Sequence, residues 1–238
     1  MLIVAMRRAR RLIVLVAGIA LLLSGCGFPG LEEAPPTSVA PTTTTPPAAP
    51  EGARQLVTVT VASAKSTSGT LQAWDHHGDG WTSVLGVVPV RVGVAGVGPT
   101  HEGLDRTPIG TFGLPSAFGR LPNPGSRMPY RQVGESDWWV SDSASADYNT
   151  YQHCARGSCP FDERVGENLG DAGDSYDYAV VIGYNTDHPA PGAGSAFFVH
   201  VDAGESSEGC VEVPRASMVA LLRWLDPART PAISIGYT

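Results

Sequence analysis

Phe197-Phe198-Val199-His200-Val201-Asp202-Ala203-Gly204-Glu205-Ser206-Ser207-Glu208-Gly209-Cys210-Val211-Glu212-Val213 is the stretch on which the reading of this chain turns. An apolar run from Ala196 to Val199 delivers His200. A Gly/Ser/Glu-rich turn follows, and Gly209-Cys210 opens a second run through Val211 and Val213. That pattern predicts strand, tight loop and strand, with an imidazole at the end of one strand and a thiol at the start of the next. A free thiol titrates near about 8.5, so only a small fraction is thiolate at neutral pH. An imidazole within hydrogen-bond reach takes that proton and holds the thiolate as an ion pair. Gly209 has a matching use: without a Cβ beside the nucleophile, a carbonyl can approach and backbone N–H groups can face its oxygen. The stretch alone leaves two other readings open, a buried structural cysteine beside a satisfied histidine, or a cysteine in a disulfide.

Working outward, Tyr178 to Tyr184 is a continuous apolar run, the pattern of a central strand. Asn185 to Pro189 reads as a turn, and His188 within it is a weaker alternative base. Downstream, Pro214 starts a helix where its missing N–H costs little. Met218, Leu221, Leu222 and Leu225 follow helical spacing, Asp226-Pro227 stops the helix, and Ile233 to Tyr237 reads as a last strand. Upstream, Leu56 to Val61 alternates with period two, as a half-buried strand does. Thr70–Trp74, Trp81–Leu85 and Val87–Val94 read as further strands, with His76 and His77 in an exposed turn. Short strands with turn punctuation predict a mainly β domain, sandwich-like or barrel-like, spanning residues 55–238 with one helix after the cysteine strand.

Residues 115–176 are polar and poorly periodic, with Tyr130, Trp138, Trp139, Tyr148 and Tyr151 spread through them. A stretch of this length inside a compact domain is functional or tied down. The aromatics read as core before ligand platform. Cys154 and Cys159 are expected to form a disulfide that ties the stretch into a lid or wall over the site. His153 beside them lacks a fourth ligand, so no metal is expected.

The N-terminus is an address. Arg7, Arg8, Arg10 and Arg11 precede an apolar run, Leu12 to Leu23, too short to span a bilayer. Leu23-Ser24-Gly25-Cys26 resembles a lipobox, which implies a signal peptide over residues 1–25 and acylation of Cys26. Residues 26–54 then form a Pro/Thr-rich tether without apolar periodicity. Loss of residues 1–25 removes those four arginines and no acid, so the formal charge of -7 becomes -11. Such acidity argues against nucleic acid and against a polybasic membrane patch. With Cys26 lipidated and Cys154 paired with Cys159, Cys210 is left single, and an unpaired thiol in an exported chain calls for a reason.

Ser207-x-Gly209-Cys210 with a histidine on the preceding strand resembles the signature of L,D-transpeptidases of the YkuD/ErfK type, cysteine enzymes that cross-link peptidoglycan stem peptides. Arg106-Thr107-Pro108-Ile109-Gly110-Thr111-Phe112 is similar to the family's T-P-x-G-x-F segment, and Gly194 to His200 to its G-x-x-hydrophobic-His strand. Asp147-Tyr148-Asn149 with Tyr184-Asn185 resembles an actinobacterial lipoprotein-like branch. The resemblance runs from about Gln55 to Tyr237. It departs at Glu208, where many members have a second histidine, at Glu212, where many have arginine, and in a short His-to-Cys spacer.

The resemblance implies an extracytoplasmic, lipid-anchored enzyme facing the cell wall, with no cofactor and stem peptides as partners. It implies a thioester at Cys210 and a 3→3 cross-link, and acylation by carbapenems, as is common in the family. The residues themselves support Cys210 as nucleophile, His200 as proton donor and acceptor, and the backbone N–H groups of Gly209 and Cys210 as oxyanion hole. The resemblance makes Ser207, Thr107 and Gly110 the expected substrate contacts, with Gly93 to Gly103 leading to the groove. A backbone carbonyl, Ser207 or Asp202 is expected to orient His200. The alternatives are a carboxypeptidase or endopeptidase, a protein-to-wall attachment enzyme, or an inactive wall-binding module kept open by Glu208 and Glu212.

Overall fold

Alternating apolar residues need a sheet with two covered faces, and the first strand already shows both. The computed structural model describes residues 49–78, 80–204 and 207–238. The expected signal peptide, Cys26 and all but the last residues of the tether lie outside them. Strand β1 (Gln55–Val61) sends Val57, Val59 and Val61 into the main core and Leu56 beneath Trp74, whose indole N–H donates to Thr58 Oγ1 at 3.0 Å. It is therefore buried on both faces rather than half-buried. The reason is its neighbours: β2 (Ser68–His77) pairs with it antiparallel, and the last strand pairs with it parallel.

The two strands expected over Trp81–Leu85 and Val87–Val94 are one, β3 (Gly80–Arg91). Leu85 pairs with Ala73 and Val88 with Leu71, so Gly86 and Val87 form a bulge opposite Gln72, where two separate strands were expected. His76 and His77 are not in a turn. They are the last residues of β2, paired with Trp81 and Gly80.

Short pieces follow: β4 (Val97–Gly98), β5 (Thr107–Pro108), β6 (Gly110–Gly113), β7 (Ala117–Gly119) and β8 (Tyr130–Gln132). Strands β9 (Asp137–Trp139), β10 (Tyr151–His153) and β11 (Glu167–Asn168) come next, then β12 (Ala179–Val181), β13 (Phe198–Val201), β14 (Val211–Val213), helix α1 (Arg215–Trp224) and β15 (Pro231–Tyr237). Ten strands form one curled sheet in the order β6-β15-β1-β2-β3-β14-β13-β12-β7-β8. The fold is mainly β and sandwich-like, with one helix directly after β14, as expected.

Helix α1 begins after Pro214, and Met218, Leu221 and Leu222 are buried on it, with Leu225 just beyond. This face joins Val199, Val201, Val211 and Val213 in the main core. On the opposite side of β13, Phe198 is met edge-on by Phe118, Trp139 and Tyr176, with ring centroids 4.9, 5.2 and 5.7 Å away. Through that ring cluster the small sheet β10-β9-β11 docks onto the large one.

Candidate active site

Strands β13 and β14 run parallel, with Val199 beside Val211, His200 beside Glu212 and Val201 beside Val213. Side chains alternate, so the four valines enter the core while Phe198, His200, Cys210 and Glu212 share the other face. His200, Glu212 and Cys210 line one cavity of about 590 Å³. Its walls come from Thr100 to Asp105, Ser141, the segment from Arg164 to Tyr176, and Gly194 to Phe197 with Ser207 to Cys210. The polar stretch 115–176 thus supplies one wall. Cys154 and Cys159 form a disulfide in it, and Cys210 is free.

His200 is buried, and its Nδ1 lies 2.9 Å from the Val201 carbonyl. A carbonyl only accepts, so Nδ1 carries the proton and Nε2 is left as the acceptor. Of the three groups expected to orient the ring, the backbone carbonyl does so. Asp202 instead pairs with Arg91 at 2.5 Å, and the Ser207 hydroxyl donates to the Cys210 carbonyl at 2.7 Å. Burial lowers the His200 pKa, against the Val201 hydrogen bond and the charge of Asp202, so the imidazole rests neutral.

Cys210 is partly exposed. Its thiol donates to the Ala196 carbonyl at 3.4 Å. Ala196 reaches that position with a left-handed φ of 56°, and Asn149 Oδ1 accepts its N–H at 3.2 Å. The Asn149 side-chain amide also donates to the carbonyls of Tyr184 and Asn185, at 3.1 and 2.7 Å. Two stretches singled out in sequence therefore meet through one buried asparagine behind the thiol. Burial raises the thiol pKa most, and the charges of Glu167 and then Glu212 add to it. The Phe198 N–H and Tyr176 hydroxyl oppose. The thiol rests protonated.

Gly209 has φ of 145°, and a Cβ there would lie 2.6 Å from the Phe197 ring. Only glycine fits, for backbone and packing reasons together. Its N–H donates to Ser207 Oγ at 3.0 Å, so that donor is already engaged. Thr107 is fully buried behind the wall. Its hydroxyl accepts from the Gly93 N–H and donates to the Gly209 carbonyl at 2.7 Å. Gly110 lies on β6, paired with Ile235. Neither Thr107 nor Gly110 lines the cavity, whereas Ser207 does, and of the expected Gly-rich approach, Gly93 to Gly103, only Thr100 to Gly103 does. The T-P-x-G segment braces the Gly209 peptide from behind. His188 is not in the cavity wall.

Two residues were not foreseen. Tyr176 is buried with its ring edge-on to His200, centroids 5.2 Å apart, and its hydroxyl donates to Glu167 Oε1. The same hydroxyl lowers the Cys210 thiol pKa, and both side chains line the cavity. Burial, and to a lesser degree the charge of Glu208, push the Glu167 carboxyl up to about 7, against the Tyr176 hydrogen bond. Glu208 thus acts on Glu167, while the carboxylates acting on the thiol are Glu167 and Glu212. Glu212 accepts from Arg91 Nε at 2.9 Å, so β3 supplies an arginine beside the position where the resembling family carries one after the cysteine.

Comparison with curated proteins and with solved structures gives no match. The family profile described as YkuD, L,D-transpeptidase catalytic domain, matches residues 68–233, from the start of β2 into β15 and across the whole cavity. By that match the chain belongs to the YkuD family of L,D-transpeptidase catalytic domains.

Proposed function

We propose that the general activity of this family, L,D-transpeptidase catalysis on peptidoglycan, takes the form here of acyl transfer through Cys210. The observation that carries the reading is the convergence of an unpaired thiol and an Nε2-accepting imidazole on one face of two parallel strands, in one cavity. Sγ attacks the carbonyl carbon between an L-centred stem residue and a terminal D-alanine. The thiol proton passes to His200 Nε2 and leaves on the departing amine, giving a thioester. Because thiol and imidazole both rest neutral, the proton moves as the S–C bond forms and not before. With the Gly209 N–H held by Ser207, the oxyanion donor in this reading is the Cys210 N–H, approached across the bare Gly209 Cα. A side-chain amine of a neighbouring stem then takes the acyl group, forming the 3→3 cross-link. Residues 1–25 act as a lipoprotein signal, Cys26 carries the lipid, and residues 26–54 give the domain its reach into the wall.

The raised thiol favours one second reading, a wall-binding domain without turnover. Intact mass after incubation with a carbapenem separates the two. A single adduct, absent in Cys210→Ala and slowed in His200→Ala, is expected. An unmodified wild-type chain with a free, unreactive Cys210 removes the acyl-enzyme and leaves the wall-binding domain.

A further inference from the structure

Aminolysis of a thioester by an ammonium group has a proton too many for one histidine. The acceptor nitrogen arrives with three protons. One stays in the new amide, one returns to Sγ, and the third needs another base. A side-chain amine titrates at about 10.4, so at neutral pH nearly all of it arrives charged. His200, neutral with only Nε2 open, can carry one proton between nitrogen and sulfur.

Beside Cys210 the cavity holds a second proton-accepting array. Tyr176 Oη donates to Glu167 Oε1, and both residues line the cavity together with Cys210. The amine that attacks a thioester on Sγ must come close to that hydroxyl. We infer that Tyr176 and Glu167 form a relay that takes the surplus proton from the incoming acceptor ammonium. The inference rests on the acyl-enzyme reading above.

The step balances. An N–H proton of the ammonium passes to Tyr176 Oη as the Tyr176 hydroxyl proton passes to Glu167 Oε1, leaving a free amine, an intact tyrosine and a neutral carboxylic acid. The amine nitrogen then bonds to the thioester carbon, the C–S bond breaks, and its electron pair returns to Sγ. The second surplus N–H proton reaches Sγ through His200 Nε2. Glu167 afterwards gives its proton to water. The groups around the relay suit this work. Glu208 and burial raise the Glu167 carboxyl to about 7, nearer the amine than an unperturbed carboxylate lies. Besides Glu167 and Glu208, the cavity carries Glu102, Asp105 and Glu212 against Arg164, His101 and the neutral His200, a balance that favours a cation. Arg164 itself is paired with Asp162 at 2.6 Å, and Glu212 with Arg91.

The test compares two acceptors and one acylating drug on the full chain, in wild type, Glu167→Gln and Tyr176→Phe. Carbapenem acylation of Cys210 involves no ammonium and reports the thiol itself: it is expected to be no slower than wild type in Glu167→Gln, which loses a charge that raises the thiol, and to slow only a few-fold in Tyr176→Phe, which loses the hydroxyl that opposes that rise. Aminolysis of the acyl-enzyme by a lysine-type side-chain amine at pH 7 is expected to fall roughly 100-fold in kcat, the usual weight of a general base. With glycinamide, whose α-amine titrates near about 8, the loss is expected to be much smaller, because much more free amine is present. Raising the pH toward 10 is expected to restore the side-chain acceptor. Equal losses with both acceptors, a loss of drug acylation as large as the loss of aminolysis, or no loss at all would each overturn the relay. A wild-type chain that takes no adduct would overturn the acyl-enzyme first and the relay with it.

Discussion

The two faces of β13 and β14 are built from the same few residues and do opposite things. Val199, Val201, Val211 and Val213 disappear into the main core with α1 above them. Phe198, His200, Cys210 and Glu212, one residue out of phase, carry a ring cluster, an imidazole, a thiol and a carboxylate. The first face secures the second, because strands held by interlocked valines fix the spacing of the groups on their reverse. The valine side is core alone, while the other side joins a ring cluster to the polar groups of the candidate site, so substitutions of the valine-side core and of those polar groups are expected to separate.

Gly209→Ala should break the comparison hardest, because it strikes both faces. A Cβ 2.6 Å from Phe197 on a backbone with φ of 145° is expected to cost roughly 4 kcal/mol from crowding and backbone strain together. Drug acylation should be lost with it. Chemical denaturation with parallel mass analysis reads both, and a stable, acylable variant would contradict the geometry. Leu222→Ala strikes the core side alone. A fully buried leucine there should cost about 3 kcal/mol. Cys210 should still acylate at the wild-type rate while the protein remains folded, and a proportional loss of acylation would mean that the two sides are coupled.

Glu167→Gln sharpens the contrast from the chemical side. With its carboxyl raised to about 7 from 4.5, the folded protein holds a proton across that window which the unfolded chain has lost. Its contribution is therefore present below about pH 4.5 and is lost as pH rises through 7, leaving a charged, partly buried carboxylate above. Glutamine removes that charge. The variant should be more stable than wild type by roughly 2 kcal/mol at pH 8, a figure discounted for partial exposure, and no more stable at pH 4. Denaturation midpoints that differ equally at both pH values would refute the assignment. Thr107→Val is the mildest. It deletes the bond to the Gly209 carbonyl and the acceptor for the Gly93 N–H, worth about 1–2 kcal/mol. Acylation should slow, because the Gly209 peptide loses its brace, while substrate KM stays unchanged.

These expectations mark what could be read in advance. His200 and Cys210 were legible because period-two alternation and a turn are local signals. So was α1, from Pro214 and the spacing of Met218, Leu221, Leu222 and Leu225. Glu167 and Tyr176 were not. They lie in an aperiodic stretch and come together because β9 docks Trp139 on Phe198, β11 beside it carries Glu167, and the 3-10 turn Gly173–Asp177 lays Tyr176 on the same ring. Nothing near either residue in sequence signals that packing. Thr107 was legible as part of the site region, but not its direction. A threonine beside a glycine-rich turn reads alike whether its hydroxyl faces a substrate or a carbonyl behind the wall. The continuity of β3 was hidden by Gly86, which bends a strand as readily as it ends one.

The spacing of the cysteines has a consequence for how the chain matures. Cys154 and Cys159 are separated by five residues, whereas Cys210 lies more than fifty from either. Bringing together the ends of the longer segment costs about 2 kcal/mol more in chain entropy than closing the short one. In an oxidising environment the near pair therefore meets first, before the sheet exists, and the thiol that the cavity needs is spared by chance encounter alone. Among the cysteines of the described residues, an oxidised chain thus reaches its folded state with Cys210 still reduced.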